Sequence, residues 1–160
     1  MRRNDREVTD INEIMEIIAD CDVCRLALND DEYPYIIPLN FGAELVDGKV
    51  TLYFHSALKG KKLDLIAADP RASFEMDSGH ELCYSKERGY CTYAYESVAG
   101  SGTVTMLDDE QSKVHALGRL MEHYHRSEEA YYNPAAISRT AVYKLTADKV
   151  TAKRKTAPSR

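Results

Sequence analysis

Lys61 and Lys62 follow Gly60 near the end of the run Tyr53-Phe54-His55-Ser56-Ala57-Leu58-Lys59-Gly60-Lys61-Lys62-Leu63, which reads as a strand end, a small-residue turn and a helix start. A helix start presents backbone N–H groups with no intrahelical acceptor and the positive end of the macrodipole, which together make a seat for a phosphate. Gly60 lets a ligand approach the backbone closely, and the two ammonium groups supply charge-assisted donors. A solvated basic helix start that binds nothing has the same local appearance, because charged runs commonly face water. The stretch alone leaves both readings open.

Two other sets of residues have types that could do chemistry. Cys21 and Cys24 have the spacing of a zinc half-site or a redox pair, and Cys83 and Cys91 would complete a four-sulfur site only if the fold joined distant segments. There is no second CxxC, and the pair follows a helix and opens a strand, the reverse of the thioredoxin-like order. The cysteines are therefore expected as small buried core residues, with no metal bound. His115, His123 and His125 provide no i, i+4 pair of the chelating kind, so they are expected as solvated or capping residues.

The elements that must position these residues belong to a single domain. At 160 residues the chain is long enough to bury a sizeable core, and 44% apolar with 29% charged residues is the balance of a soluble globular protein. A net charge of −5 argues against nucleic acid as a partner. The basic runs Arg2-Arg3 and Lys153-Arg154-Lys155 lie near the termini, where solvated tails are expected. No apolar run approaches a membrane span, and Met1-Arg2-Arg3-Asn4-Asp5-Arg6 lacks the apolar core of a signal peptide. The expectation is a cytoplasmic protein with reduced thiols and no membrane partner.

Asp10 and Glu13 resemble a capping box, and Ile11, Ile14, Met15 and Ile18 give the following segment an apolar stripe, so a helix is expected to about Ala19. Val23–Leu28 alternates as a strand. Tyr35–Phe41 is a second strand carrying Pro38, which cannot donate to a ladder. That strand is expected at an edge, or open to a ligand whose polar rim its free backbone groups could meet. Asp47-Gly48 marks a hairpin into a third strand, Lys49–His55, and Asp69-Pro70 stops the helix begun at Lys61. Strands are expected at Arg71–Asp77, within Tyr93–Leu107 and at Arg139–Thr146. Residues 78–92 read as a functional loop or a surface excursion. Asp108-Asp109-Glu110 opens a helix striped by Val114, Leu117, Leu120, Met121 and Tyr124, and Ser127–Ser138 reads as loop or short helix. The hairpin-type links point to a mainly β, α+β architecture: a six-stranded antiparallel barrel with peripheral helices, residues 1–147 forming the domain and 148–160 a tail in which the last dozen residues begin as a weak strand.

The order of short motifs resembles the pyridoxamine 5′-phosphate oxidase-like flavin proteins. They are Asp30-Asp31-Glu32-Tyr33-Pro34, Tyr35–Gly42, Leu52-Tyr53-Phe54-His55-Ser56-Ala57, Gly60-Lys61-Lys62, Asp69-Pro70 and Glu96-Ser97-Val98-Ala99-Gly100-Ser101-Gly102. Arg2–Glu7 and Cys24-Arg25-Leu26-Ala27 are similar to the nitroimidazole-resistance branch. The resemblance, over residues 2–146, implies a split β-barrel homodimer holding FMN, or sometimes FAD, at the subunit interface. It implies that Gly60, Lys61 and Lys62 hold the flavin phosphate, that His55, Ser56 and Ala57 lie beside the ribityl chain, and that Pro38, Leu39 and Asn40 lie along the ring. Glu96, Ser97 and Val98 match a strand near the interface, and His55 corresponds to the branch's active-site histidine. Relatives that oxidise pyridoxamine phosphate carry a C-terminal Arg-x-His element, whereas this chain ends Lys153-Arg154-Lys155-Thr156-Ala157-Pro158-Ser159-Arg160. Vitamin B6 oxidation is therefore not expected.

The implied function is a flavin-dependent reductase of small nitroaromatic or related acceptors, in which the flavin carries the redox chemistry. His55 would donate a proton or orient the acceptor, with packing or phosphate contact as its other role. A non-enzymatic flavin or haem binder, and a dimeric interaction module without cofactor, are the alternatives on the same barrel.

Overall fold

Along β2 (Cys24–Leu28), Cys24, Leu26 and Leu28 are buried while Arg25 is exposed, so the alternation read from the sequence turns one face of the strand into the core. The computed structural model describes residues 4–125 and 133–157. Arg2-Arg3, residues 127–132 and the last three residues, with the expectations made for them, lie outside that set.

A 3-10 turn (Asn4–Arg6) and the short β1 (Glu7–Val8) precede α1 (Ile11–Ala19). After β2 come β3 (Tyr35–Leu39), β4 (Gly42–Val46), β5 (Lys49–Ala57), α2 (Lys61–Ala68), β6 (Arg71–Ser85) and β7 (Tyr90–Leu107). Then α3 (Glu110–Tyr124), α4 (Pro134–Ile137) and β8 (Thr140–Lys155) complete the chain. Every strand pairing is antiparallel, in the order β3-β2-β6-β7-β8-β5-β4, with β1 added to β8. The edge strands β3 and β4 are joined directly through Asn40-Phe41, so the sheet curls into a barrel whose seam is covalent rather than hydrogen-bonded. This is the mainly β architecture with peripheral helices that the hairpin links implied, and the split barrel that the family resemblance implied.

Inside, Leu26, Leu52, Phe54, Met76, Val98 and Leu145 meet Ile17 and Ile18 of α1, all at 2% exposure or less. Burial of each such side chain contributes about 1.5–3 kcal/mol. Asp10 caps α1 by accepting from the Asn12 N–H at 2.7 Å. Glu13 does not close the capping box; it accepts from Arg154 at 2.8 Å instead, which ties α1 to β8. Asp109 caps α3 through the Ser112 N–H, as its position implied.

The strands number eight among the described residues rather than six. The expected strand Tyr35–Phe41 ends at Leu39 and β4 restarts at Gly42, while β1 is too short to read by alternation. Residues 78–92 are not a loop: β6 and β7 run on past the sheet as a two-stranded ribbon, paired as far as Ser85↔Tyr90. Residues 148–155, expected as a weak strand before the tail, are the second half of β8, paired with β7 as far as Lys155↔Tyr95 and continuous with the strand that was expected to end at Thr146.

Cys21 and Cys24 are core residues as expected. Cys83 and Cys91 are not: they lie on the ribbon, half-buried and exposed, opposite Thr92 and Tyr84 respectively. Of the helix-α3 histidines, His115 and His125 are exposed, as expected, and His123 is partly buried; His115 and His123 also have partners on other segments. His115 Nε2 is 2.7 Å from Glu44 with its ring edge-on to Tyr53, and His123 Nε2 donates to the Cys21 carbonyl at 2.8 Å. His125 is the C-cap. Among the described residues no helix is long and apolar enough to cross a membrane.

Candidate functional site

The junction of β5 and α2 is built around Gly60. Its φ of +147° is a conformation that residues with a Cβ rarely adopt, and it lets the chain reverse from strand into helix within three residues. Gly60 is the N-cap of α2, and no side chain caps the helix; the Gly60 carbonyl accepts from the Leu63 and Asp64 N–H groups. The first N–H groups of the helix therefore have no side-chain acceptor, which is the condition for an anion seat.

The two lysines diverge. Lys61 Nζ lies 2.6 Å from Asp30 Oδ2 and 5.2 Å above the Tyr35 ring. Lys62 Nζ lies 5.7 Å above the ring of Tyr143, a residue wholly inside the barrel, and among the described residues it has no ion-pair partner. Burial holds the Lys62 ammonium below its ordinary pKa. Burial, and then the nearby Lys62 charge, hold the His55 imidazolium below its ordinary value. A half-buried ammonium with no ion-pair partner among the described residues, beside an uncapped helix start, disfavours a proton on the neighbouring imidazole, and a bound anion relieves it.

A sign follows for His55. In flavin-free protein it should titrate below the ordinary histidine range, and so be neutral at pH 7. Phosphate, or Lys62→Met, should raise its pKa: phosphate by adding an opposite charge, the substitution by removing a like one. Proton NMR of the ring across pH 4–9 reads both shifts; an unmoved titration in both cases removes the coupling between His55 and Lys62.

His55 shares a face of β5 with Tyr53, while Ser56 shares the inward face with Phe54 and donates to the Ala57 carbonyl at 3.0 Å. The residues 55–57 therefore do not present one surface. Pro38 sits on β3 opposite Arg25, and β3 has no strand on its other side, as the proline required. Pro38 and Asn40 are exposed and Leu39 half-buried. Because β4 pairs with β5 from Gly42↔Tyr53, the Asn40-Phe41 link leaves β4 at the end nearer His55. At its other end β3 meets the junction directly, where Lys61 lies against Tyr35.

Glu96, Ser97 and Val98 do not join it within one chain. Val98 is a fully buried core residue opposite Ala152, whereas His55 is opposite Val142. Those β8 positions are ten residues apart, roughly 33 Å at about 3.3 Å per residue. Glu96 is engaged by Arg154, which also holds Glu13. Burial pushes the Cys21 thiol to about 11 and the Cys24 thiol to about 12, so neither is a ready thiolate. Among the described residues no group of three or more His, Cys, Asp or Glu could hold a metal ion.

Three residues around the junction carry no local sign of their place: Asp30, Tyr35 and Tyr143. Asp30 reads only as part of a polar turn. Tyr143 becomes visible when β8 is paired with β5, which sets it opposite Phe54 and stacks the two rings 5.6 Å apart.

The sequence matches the pyridoxamine 5′-phosphate oxidase family over residues 10–154. No curated protein matches it. Among solved structures the chain is similar to a protein from Bacteroides thetaiotaomicron VPI-5482, presented as a candidate 5-nitroimidazole antibiotic resistance protein. The two are 32% identical with a TM-score of 0.79, over 92% of this chain and 85% of that one. The flavocytochrome Anf3 from Azotobacter vinelandii has the same fold at 16% identity, with a TM-score of 0.76 over 99% of this chain and 73% of the other. A FAD and haem binding protein from Mycobacterium smegmatis shares it too, at 16% identity and a TM-score of 0.76, over 97% of this chain and 76% of that one.

Proposed function

We propose that this chain, which belongs to the pyridoxamine 5′-phosphate oxidase family, binds FMN at the β5–α2 junction and serves as a reductase of small nitroaromatic or related acceptors. The observation that carries the reading is the Lys62–His55 couple, without an ion-pair partner among the described residues, beside the uncapped start of α2. Its chemistry fits a flavin phosphate: free N–H donors, a partly desolvated ammonium and an imidazole whose protonated form a nearby anion favours. FAD presents phosphate oxygens to the same donors and is the second candidate.

The flavin, when bound, supplies the electron transfer. The protein's own residues supply position and protons. The backbone of Pro38, Leu39 and Asn40 on the free edge of β3 offers hydrogen-bonding groups to the rim of the ring. His55 at the end of β5 holds a proton on its imidazole for the reduced acceptor.

A homodimer belongs to the same reading. Ile36, Ala27, Ser73 and Ser101 align across β3, β2, β6 and β7 on the outer face of the sheet, beside a second row of Pro38, Arg25, Glu75 and Ala99. Ile36 is 63% exposed there. A second copy on that face would cover Ser97, which lies on the same face of β7 as Ala99 and Ser101, while Glu96 on the opposite face stays with Arg154.

Purified protein that is yellow, bleaches with NADH or NADPH and regains its colour with a nitroaromatic compound supports the proposal. A yellow protein that neither donor bleaches is a binder rather than a reductase. A red haem spectrum, or a colourless protein that takes up no flavin, removes the reading. His55→Ala with retained flavin and full turnover removes only the proton-donating role.

A further inference from the structure

The β2–β3 turn is tied to both ends of α2. At the start of the helix, Asp30 holds the Lys61 ammonium, which also lies against Tyr35, the first residue of β3. At the other end, the Asn29 side chain donates to Asp69, the C-cap, at 2.8 Å, and Arg71 pairs with the same carboxylate at 2.7 Å.

We propose that Lys61 is a positioning residue rather than a phosphate ligand: with Asp30 and Tyr35 it straps the β2–β3 turn to α2 and so sets the edge strand β3 against the phosphate seat. The inference rests on the flavin reading above for what is seated, but the strap is a property of the chain itself. Successive helix residues do not share a face, and here Lys61 points to the turn while Lys62 points to the barrel interior. One phosphate cannot collect both ammonium groups unless Lys61 gives up Asp30 and the Tyr35 ring together. Asp30 is also no open surface carboxylate, its side chain being 24% exposed. Lys62 and the helix N–H groups then carry the phosphate, and Lys61 carries the geometry between phosphate and ring.

Riboflavin separates the two roles because it has the ring without the phosphate. Dissociation constants for FMN and riboflavin, read from flavin fluorescence, are compared in the wild type, Lys61→Met, Asp30→Asn and Lys62→Met. Lys61→Met and Asp30→Asn should weaken both flavins by the same factor, about five-fold, the size of one partly exposed ion pair. Lys62→Met should weaken FMN and spare riboflavin. In flavin-free protein, hydrogen exchange at the Tyr33 amide, which is bonded to the Asp30 carbonyl, should quicken in both strap variants. The strap is overturned if Lys61→Met weakens FMN alone, if Asp30→Asn tightens FMN, or if Tyr33 exchange is unchanged. A wild type that binds neither flavin removes the flavin reading, and the exchange measurement still judges the strap.

Discussion

Lys62→Met should lower FMN affinity by about 10- to 100-fold, the largest functional effect expected from a single side chain here. A charge-assisted hydrogen bond contributes about 1.5–3 kcal/mol when its partner is an anion. Lys62 is placed to make one beside the open N–H groups of α2, and no acid of the described chain competes for it. Its desolvation has a second consequence. In flavin-free protein the ammonium is partly buried with only the Tyr143 ring face and no ion-pair partner among the described residues, so replacing it with a methionine of similar length relieves a cost. The variant should therefore melt slightly higher than the wild type without flavin and lose most of the stabilisation that FMN gives the wild type. Thermal melts with and without saturating FMN, alongside titration of flavin fluorescence, test both halves. A variant that retains wild-type FMN affinity places the phosphate elsewhere.

The opposite fates of the two lysines show what one-dimensional reading reaches. Gly60-Lys61-Lys62 marks the helix start correctly, because glycine, charge and the Asp69-Pro70 stop are all local signals. Which lysine is free depends on Asp30 and Tyr143, 31 and 81 residues away in sequence. The partners of His115 and His123 escaped recognition for the same reason: Glu44 and Cys21 lie outside α3, far off in sequence.

The core strands were legible where one face is buried. In Cys24–Leu28, burial imposes alternation and alternation identifies the strand. Beyond Asp77 that constraint disappears. The ribbon of β6 and β7 has no third strand beside it, and Leu82, Tyr84 and Tyr93 are 50% or more exposed, so no buried face writes a pattern into residues 78–92. In the second half of β8 the pattern is masked by Lys149, Lys153, Arg154 and Lys155. Those charges look like a solvated tail, yet the backbone between them is laddered to β7, and Arg154 is held by Glu96 and Glu13. Pro38 was informative because its missing donor permits few positions in a sheet, and it occupies one of them.

Two substitutions to the same residue type should have opposite signs, and the larger tests the seam between β7 and β8. Gly102 stands opposite Ala147, where the register shifts and Asp148 is passed over between Ala147 and Lys149. A Cβ at position 102 would lie 2.0 Å from the Thr146 carbonyl oxygen, 2.8 Å from its carbon and 2.9 Å from the Ala147 Cα. These are backbone atoms in a ladder, so no rotamer relieves the overlap; the strands must part. Gly102→Ala should cost about 3 kcal/mol, at the upper end for overpacking. For a domain of this size that is roughly 6–12 °C in Tm. Gly118, inside α3, meets nothing within 4 Å of its Cβ position. There alanine removes only glycine's helix penalty, so Gly118→Ala should gain up to about 1 kcal/mol, or roughly 2–4 °C. Scanning calorimetry of both variants decides the matter. A Gly102→Ala protein that melts with the wild type means the two strands are not packed as closely as this register requires, and equal shifts of one sign mean that backbone entropy rather than space governs both positions.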